Sequence, residues 1–113
     1  MHDPNCIFCK IAQDEIPTQK GHHENGDIFS MLDIHPLAPG HTLVIPSVHY
    51  RWFYEVPDDL SDKLFRVAKN LAPGLKEKYN ADYVRLEVVG KDMPHVHVHL
   101  IPEKISGTAS PAA

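Results

Sequence analysis

Three of the nine histidines in this 113-residue chain fall within five positions, as His95-Val96-His97-Val98-His99. Side chains on an extended strand alternate between faces, so this spacing sends three imidazoles one way and Val96, Val98 and Leu100 the other. One face is core and the other carries chemistry. At about 3.3 Å per residue the outer two imidazole attachments stand roughly 13 Å apart, too far for one ion to be gripped by all three rings. The rings must therefore have different tasks. An imidazole has an ordinary pKa of about 6.5, which leaves most of it neutral and nucleophilic at neutral pH. Such a nitrogen can form a transient covalent adduct with an electrophile and divide one high barrier into two lower ones. A histidine-rich exposed strand, or an expression tag, is the plainer alternative. Tags are runs at a terminus, however, whereas these rings alternate with β-branched residues inside the domain.

The second candidate is Cys6-Ile7-Phe8-Cys9, whose spacing puts two thiols on one helical turn. Two thiolates supply half of a tetrahedral zinc site, which two imidazoles commonly complete. Buried cysteines without a metal, or a redox pair, are the other readings.

The elements that must position these groups follow from periodicity and punctuation. Ile7, Phe8 and Ile11 predict a short helix over residues 5–12, with Asn5 available as its cap, ended by Glu15-Ile16-Pro17. Asn25-Gly26-Asp27 is a turn between two paired strands, His22-His23 on a solvated edge and Ile28 to Leu32. The Pro- and Gly-rich stretch 35–41 is a loop, and Thr42 to Ile45 is a buried strand closed by Pro46. Leu60, Leu64, Val67, Ala68, Leu71 and Leu75 form one apolar stripe of a long helix over residues 58–79. Its acidic start and basic end complement the helix dipole, while Pro73-Gly74 predicts a kink or an early end. Residues 83–89 and 95–101 read as the last two strands, separated by a loop at 90–94. Residues 1–105 form the domain, and 106–113, with nothing to pack, are expected to be a mobile tail.

Composition sets the bounds. With 42% hydrophobic and 23% charged residues the chain suits one globular domain. Eleven basic against fifteen acidic side chains give a net charge of −4, which argues against binding along a nucleic-acid backbone. No apolar run approaches the roughly 20 residues of a membrane span, and the first residues do not resemble an export signal. Two cysteines make no disulfide framework, so a cytoplasmic setting is expected.

Residues His95 to Ile101 resemble the His-φ-His-φ-His-φ-φ signature that names the HIT superfamily of nucleotide hydrolases and transferases. Cys6 to Ile11, Glu15-Ile16-Pro17, Leu32-Asp33-Ile34 and Gly40-His41-Thr42-Leu43-Val44-Ile45-Pro46 match that family in order, so the likeness runs from Cys6 to Pro102. It is nearest to the short, Hint-like bacterial branch. The resemblance implies an α+β fold with an antiparallel sheet of about five strands, one long helix and a short N-terminal helix, paired as a homodimer with a continuous sheet. It implies that His97 attacks the α-phosphorus of a purine nucleoside phosphoramidate or dinucleoside polyphosphate, giving a nucleotidyl-histidine that water cleaves. His99, His95 and His41 complete the catalytic set. Asp33 would hold the ribose hydroxyls, with Ile28, Met31 and Ile34 around the base. By the same resemblance Cys6, Cys9, His49 and His95 would hold a structural zinc, and no organic cofactor is implied.

One segment departs from the pattern. Where the branch carries Gly-Gln-Ser-Val as its phosphate loop, this chain has Gly90-Lys91-Asp92-Met93, which lacks the hydroxyl and the amide. Lys91 would replace the lost donors with a charge, and Asp92 would repel a phosphate if turned toward it. Two alternatives stay open: a nucleotide-binding sensor or scaffold with little turnover, and a metal-dependent hydrolase using a His-x-His site. The lone Trp52 could stack on a base, but core or interface packing is the expectation.

Overall fold

The computed structural model describes residues 3–105; the expected mobile tail at 106–113 lies outside the described residues, as do Met1 and His2. The order of elements is α1 (Ile7–Ala12), β1 (Gly21–His23), β2 (Ile28–Leu32), β3 (Thr42–Pro46), α2 (Asp58–Lys78), β4 (Tyr83–Val88) and β5 (Val98–Glu103). The five strands form one antiparallel sheet in the order β1-β2-β3-β5-β4. The α+β expectation is met, with one long helix and one short one. Among the described residues no helix is long and apolar enough to cross a membrane.

Alternation along the strands builds two cores. Ile28, Val44, Val96, Val98 and Leu100 face α2, where Leu64, Val67 and Ala68 close over them. Phe29, Met31, Leu43 and Ile45 face the other way and meet Phe8, Cys9 and Ile11 of α1. The sheet is thus covered on both sides, and the histidines share the α1 side. Lys20 ties down α1: its buried ammonium donates to the Ile11 carbonyl at 2.9 Å and pairs with Asp14.

Three expectations are corrected. The cap of α1 is Cys6, whose sulfur accepts from the Cys9 N–H at 3.4 Å, and not Asn5. Pro73 does not end α2, which runs on to Lys78. Pro73 and Lys69 are both exposed, so the carbonyl robbed of its helical partner belongs to the solvent side, while Leu71 and Leu75 stay packed on the core. The last strand starts at Val98, not His95, and continues past Ile101 to Glu103. Both of its ladders end at Val98, opposite Val44 and Val88. Residues 95–97 instead follow the segment after β3, through the Val96 N–H to the Tyr50 carbonyl at 2.7 Å. Pro102 is tolerated because it lies beyond the last pair with β3 and has β4 alone as neighbour.

A proline inside a helix costs up to about 3 kcal/mol relative to alanine, offset in part by the stiffer unfolded chain. Pro73→Ala is therefore expected to raise the urea unfolding midpoint, corresponding to about 1–2 kcal/mol, without altering the slope.

Candidate active site

The helix α1, the ends of β2 and β3, and the start of β5 enclose a cleft of about 310 Å³. Phe8 and Ile11 come from α1, Met31 and Leu43 are register partners on β2 and β3, and Met93 closes one end. Asp33, His35, His97 and His99, with Thr18, supply its polar wall. This size and this mixture of apolar lining with a few convergent polar groups suit a small organic ligand. A larger hollow of about 620 Å³ near Gln19, Leu32 and Leu71 holds none of these histidines, so the chemistry sits in the smaller space.

Hydrogen bonds fix which nitrogen of each ring carries the proton. The Nδ1–H of His97 donates to the main-chain carbonyl of His95 at 2.7 Å, so the lone pair of the neutral ring lies on Nε2. His41 is arranged the opposite way. Its Nδ1 accepts from the Leu37 N–H at 3.1 Å, which leaves the proton on Nε2. That Nε2–H donates to Nδ1 of His99 at 2.9 Å, and an Asp33 oxygen lies 3.5 Å from the same nitrogen. His99 therefore keeps its own proton on the nitrogen remote from His41. The outcome is a nitrogen base at His97 beside an N–H donor at His99, with ring centroids 4.7 Å apart.

Electrostatics reinforce this. Burial pushes the pKa of His97, of His99 and of His41 below the ordinary imidazole value. For His97 the bond to the His95 carbonyl opposes part of that shift, and for His41 the charge of Asp33 does. All three rings are neutral at pH 7.

A second cluster lies beside the cleft. His95 is fully buried, and its Nε2–H donates to the Pro46 carbonyl at 2.8 Å, turning Nδ1 toward the sulfurs of Cys6 at 3.1 Å and Cys9 at 3.6 Å. Nδ1 of His49 is 3.4 Å from the Cys9 sulfur and 3.3 Å from Nδ1 of His95. A tetrahedral zinc with ordinary bond lengths has edges of roughly 3.3 Å between two nitrogens and roughly 3.6 Å between nitrogen and sulfur. The four donor atoms, all within 4.8 Å of one another, fit that polyhedron. Burial pushes the Cys9 thiol up to about 11, so it stays protonated unless a cation takes the proton's place.

The placement of the other expected residues is mixed. Asp33, Ile34 and Met31 line the cleft, while His41 stands buried behind His99. Asp33 also closes a turn, accepting from the His35 N–H at 2.9 Å. Ile28 is corrected: it is fully buried beneath α2, on the wrong face of β2 to meet a base. His95 is corrected as a ring at the reacting centre, since the ring lies among the cysteines and only its carbonyl reaches His97. Lys91 and Asp92 are exposed and outside the cleft wall, to which their loop contributes Met93 instead. Lys91 borders a separate hollow with Trp52. Trp52 itself is half-buried under the Arg51 guanidinium and lies so close to Gly90 that any side chain there would stand 2.8 Å from the indole. Sequence reasoning missed Phe8, Ile11, Leu43 and Met93 as cleft residues. A signal for Leu43 existed only in the register that pairs it with Met31.

A family profile described as HIT domain matches residues 13–105, and the chain belongs to the HIT family. It is 38% identical over 103 residues to adenosine 5'-monophosphoramidase HNT1 of Saccharomyces cerevisiae, covering 90% of this chain and 65% of that protein. The chain thus spans just under two thirds of that relative's length. The crystal structure of a Streptococcus mutans protein superposes with a TM-score of 0.83 at 30% identity, covering 98% of this chain and 73% of that one. A zinc-bound histidine triad family protein of Mycobacterium smegmatis superposes with a TM-score of 0.81 at 26% identity, covering 94% and 80%.

Because the folded chain holds His41, His97 and His99 neutral, the unfolded chain takes up their protons first, at about pH 6.5. Their contribution to stability is whole above that pH and declines as pH falls toward the depressed folded-state values. Imidazole NMR titrations should give midpoints below about 6.5 for these three rings, and urea midpoints should be lower at about pH 5.5 than at about pH 7.5.

Proposed function

We propose that the protein is a nucleotide hydrolase or transferase in which His97 attacks the α-phosphorus of a purine nucleoside phosphoramidate or a dinucleoside polyphosphate. The observation that carries this reading is the 2.7 Å bond from His97 Nδ1–H to the His95 carbonyl, on a ring that lines the cleft. It leaves Nε2 as an unprotonated nucleophile. In the first step Nε2 forms a bond to phosphorus and the bond from phosphorus to the leaving amine or phosphate breaks, the departing group taking a proton from His99. In the second step water attacks the nucleotidyl-histidine, returns a proton to the site and releases a nucleoside monophosphate with neutral His97. His41 hands its Nε2–H to His99 and so fixes the donor tautomer of that ring. Asp33 keeps lone pairs for the ribose hydroxyls, and Met31, Ile34 and Phe8 wall the base. The phosphoramidase name of the yeast relative supports the substrate class.

The cluster of Cys6, Cys9, His49 and His95 is read as a structural zinc site. The polyhedron fit and the zinc-bound relative support it. Zinc there would be coordinatively closed, tying α1 to the histidine segment.

A metal-dependent hydrolase is the second reading, at Asp33, His41 and His99 in place of the expected His-x-His pair, since the donor atoms of these three residues, of which only His99 belongs to the triad, also lie within 4.8 Å of one another. It ranks lower because the His41 nitrogen in that group carries a proton aimed at His99 and not a lone pair.

The homodimer is read as joining through β4. This six-residue strand is one edge of the sheet and exposes Tyr83 and Leu86, with Val89 just beyond it. The opposite edge, β1, has three residues and ends in two histidines.

Incubation with an adenosine phosphoramidate, followed by intact mass measurement, should trap one nucleotidyl group per chain. In His97→Ala the adduct should vanish and turnover fall by about 10³-fold or more; retained turnover without any adduct would refute the scheme. Light scattering should give the mass of two chains, and Leu86→Lys, which puts a charge on an edge strand, should shift it to one.

A further inference from the structure

Residues 95–97 carry the central ring, yet both ladders of the sheet stop at Val98. What orients the His95 peptide is therefore local. Its N–H donates to the Met93 carbonyl at 2.8 Å, the next N–H reaches Tyr50, and its own side chain is anchored among Cys6, Cys9 and His49. His95 thus faces two ways: the ring belongs to the cysteine cluster, and the carbonyl accepts the Nδ1–H of His97. Phe8 makes a second link. It rides on α1, which contains Cys9 and is capped by Cys6, and meets the rings of His95 and His97 edge-on, with centroids at 5.6 and 5.2 Å.

We propose that the Cys6, Cys9, His49 and His95 cluster, when it holds zinc, positions the His97 imidazole, by fixing the His95 peptide whose carbonyl accepts the His97 Nδ1–H. This rests on the zinc and nucleophile readings above and goes beyond a structural staple. His95 and His49 become positioning residues that never touch substrate. In the zinc-loaded protein the His95 ring cannot tilt, the carbonyl stays aimed at Nδ1, and the lone pair of His97 is held at Nε2. Without the ion the ring, the peptide and α1 gain freedom together, and His97 samples the opposite tautomer, whose proton blocks attack. Outer partners that orient a functional imidazole are commonly worth 10- to 100-fold, so a loss of about tenfold in kcat with little change in KM is the expected size.

The test uses full-length protein with labelled histidine nitrogens, as purified with zinc, after removal of zinc by a chelator, and after its return. Long-range proton–nitrogen spectra report the tautomer of each ring, and methyl signals of Leu64 and Val67 report the core under α2. His49→Gln serves as a second route, since it removes one donor from a half-buried loop position and leaves both α1 and the histidine segment intact. The expected result is a single Nδ1–H tautomer for His97 with zinc, and a mixture both without zinc and in His49→Gln, while the methyl signals hold. kcat for an adenosine phosphoramidate should follow, restored by zinc in the parent protein alone. One zinc per chain with the same His97 tautomer and kcat in all states would overturn the proposal and leave the structural zinc standing. Absence of tightly bound zinc would overturn both. A tautomer change without any nucleotidyl adduct would uphold the positioning and defeat the nucleophile reading instead.

Discussion

Val96, Val98 and Leu100 are wedged beneath α2, and because side chains on an extended chain alternate, that packing turns His95, His97 and His99 to the opposite face. A shift of one residue in register would bury the imidazoles under the helix and push valines into the cleft. Such a shift exchanges a dense apolar contact for buried polar rings without partners, which costs several kcal/mol. The chemistry is therefore held in place by hydrophobic packing on the far side of the sheet.

The second constraint is that buried polar groups must find partners. His41 and His95 are almost fully buried, and each meets the requirement in a way that fixes a tautomer: the Leu37 N–H for His41, the Pro46 carbonyl for His95. His97 uses the carbonyl of His95 in the same manner. Tautomers here are consequences of main-chain geometry and need no special charge nearby. The loop that sets the Leu37 N–H and leads to His41 turns at Gly40, whose φ of +85° and contact with the Tyr79 ring leave no room for a side chain.

Much of this was legible in the chain because it rests on short-range rules. The two-residue period of the histidines, the stripe along α2, the turn at residues 25–27 and the buried strand after Gly40 each announce themselves within a dozen residues. One error was avoidable on the same grounds. Ile28 and Met31 are three apart, an odd spacing that on a strand puts them on opposite faces, so they cannot wall one pocket. The early end at Pro73 failed for a different reason: whether a helix runs on through proline depends on which side faces solvent, and that is known only once the helix is packed.

The residue types that stand ready, the face each one shares with its neighbours, and membership in a family with a known signature can all be read along the chain. Which of them meet depends on how the segments pack. Cys6 and His95 are 89 positions apart, and His41 and His99 are 58 apart, yet both pairs are within hydrogen-bonding distance. No local pattern encodes these meetings, because they arise from the order in which strands pair and from where each ladder ends. The same ladder ends release residues 95–97 from the sheet, so that His95 gives its ring to one cluster and its carbonyl to another. Periodicity fixes direction along a chain, whereas distance between segments is set by packing, and the site needs both.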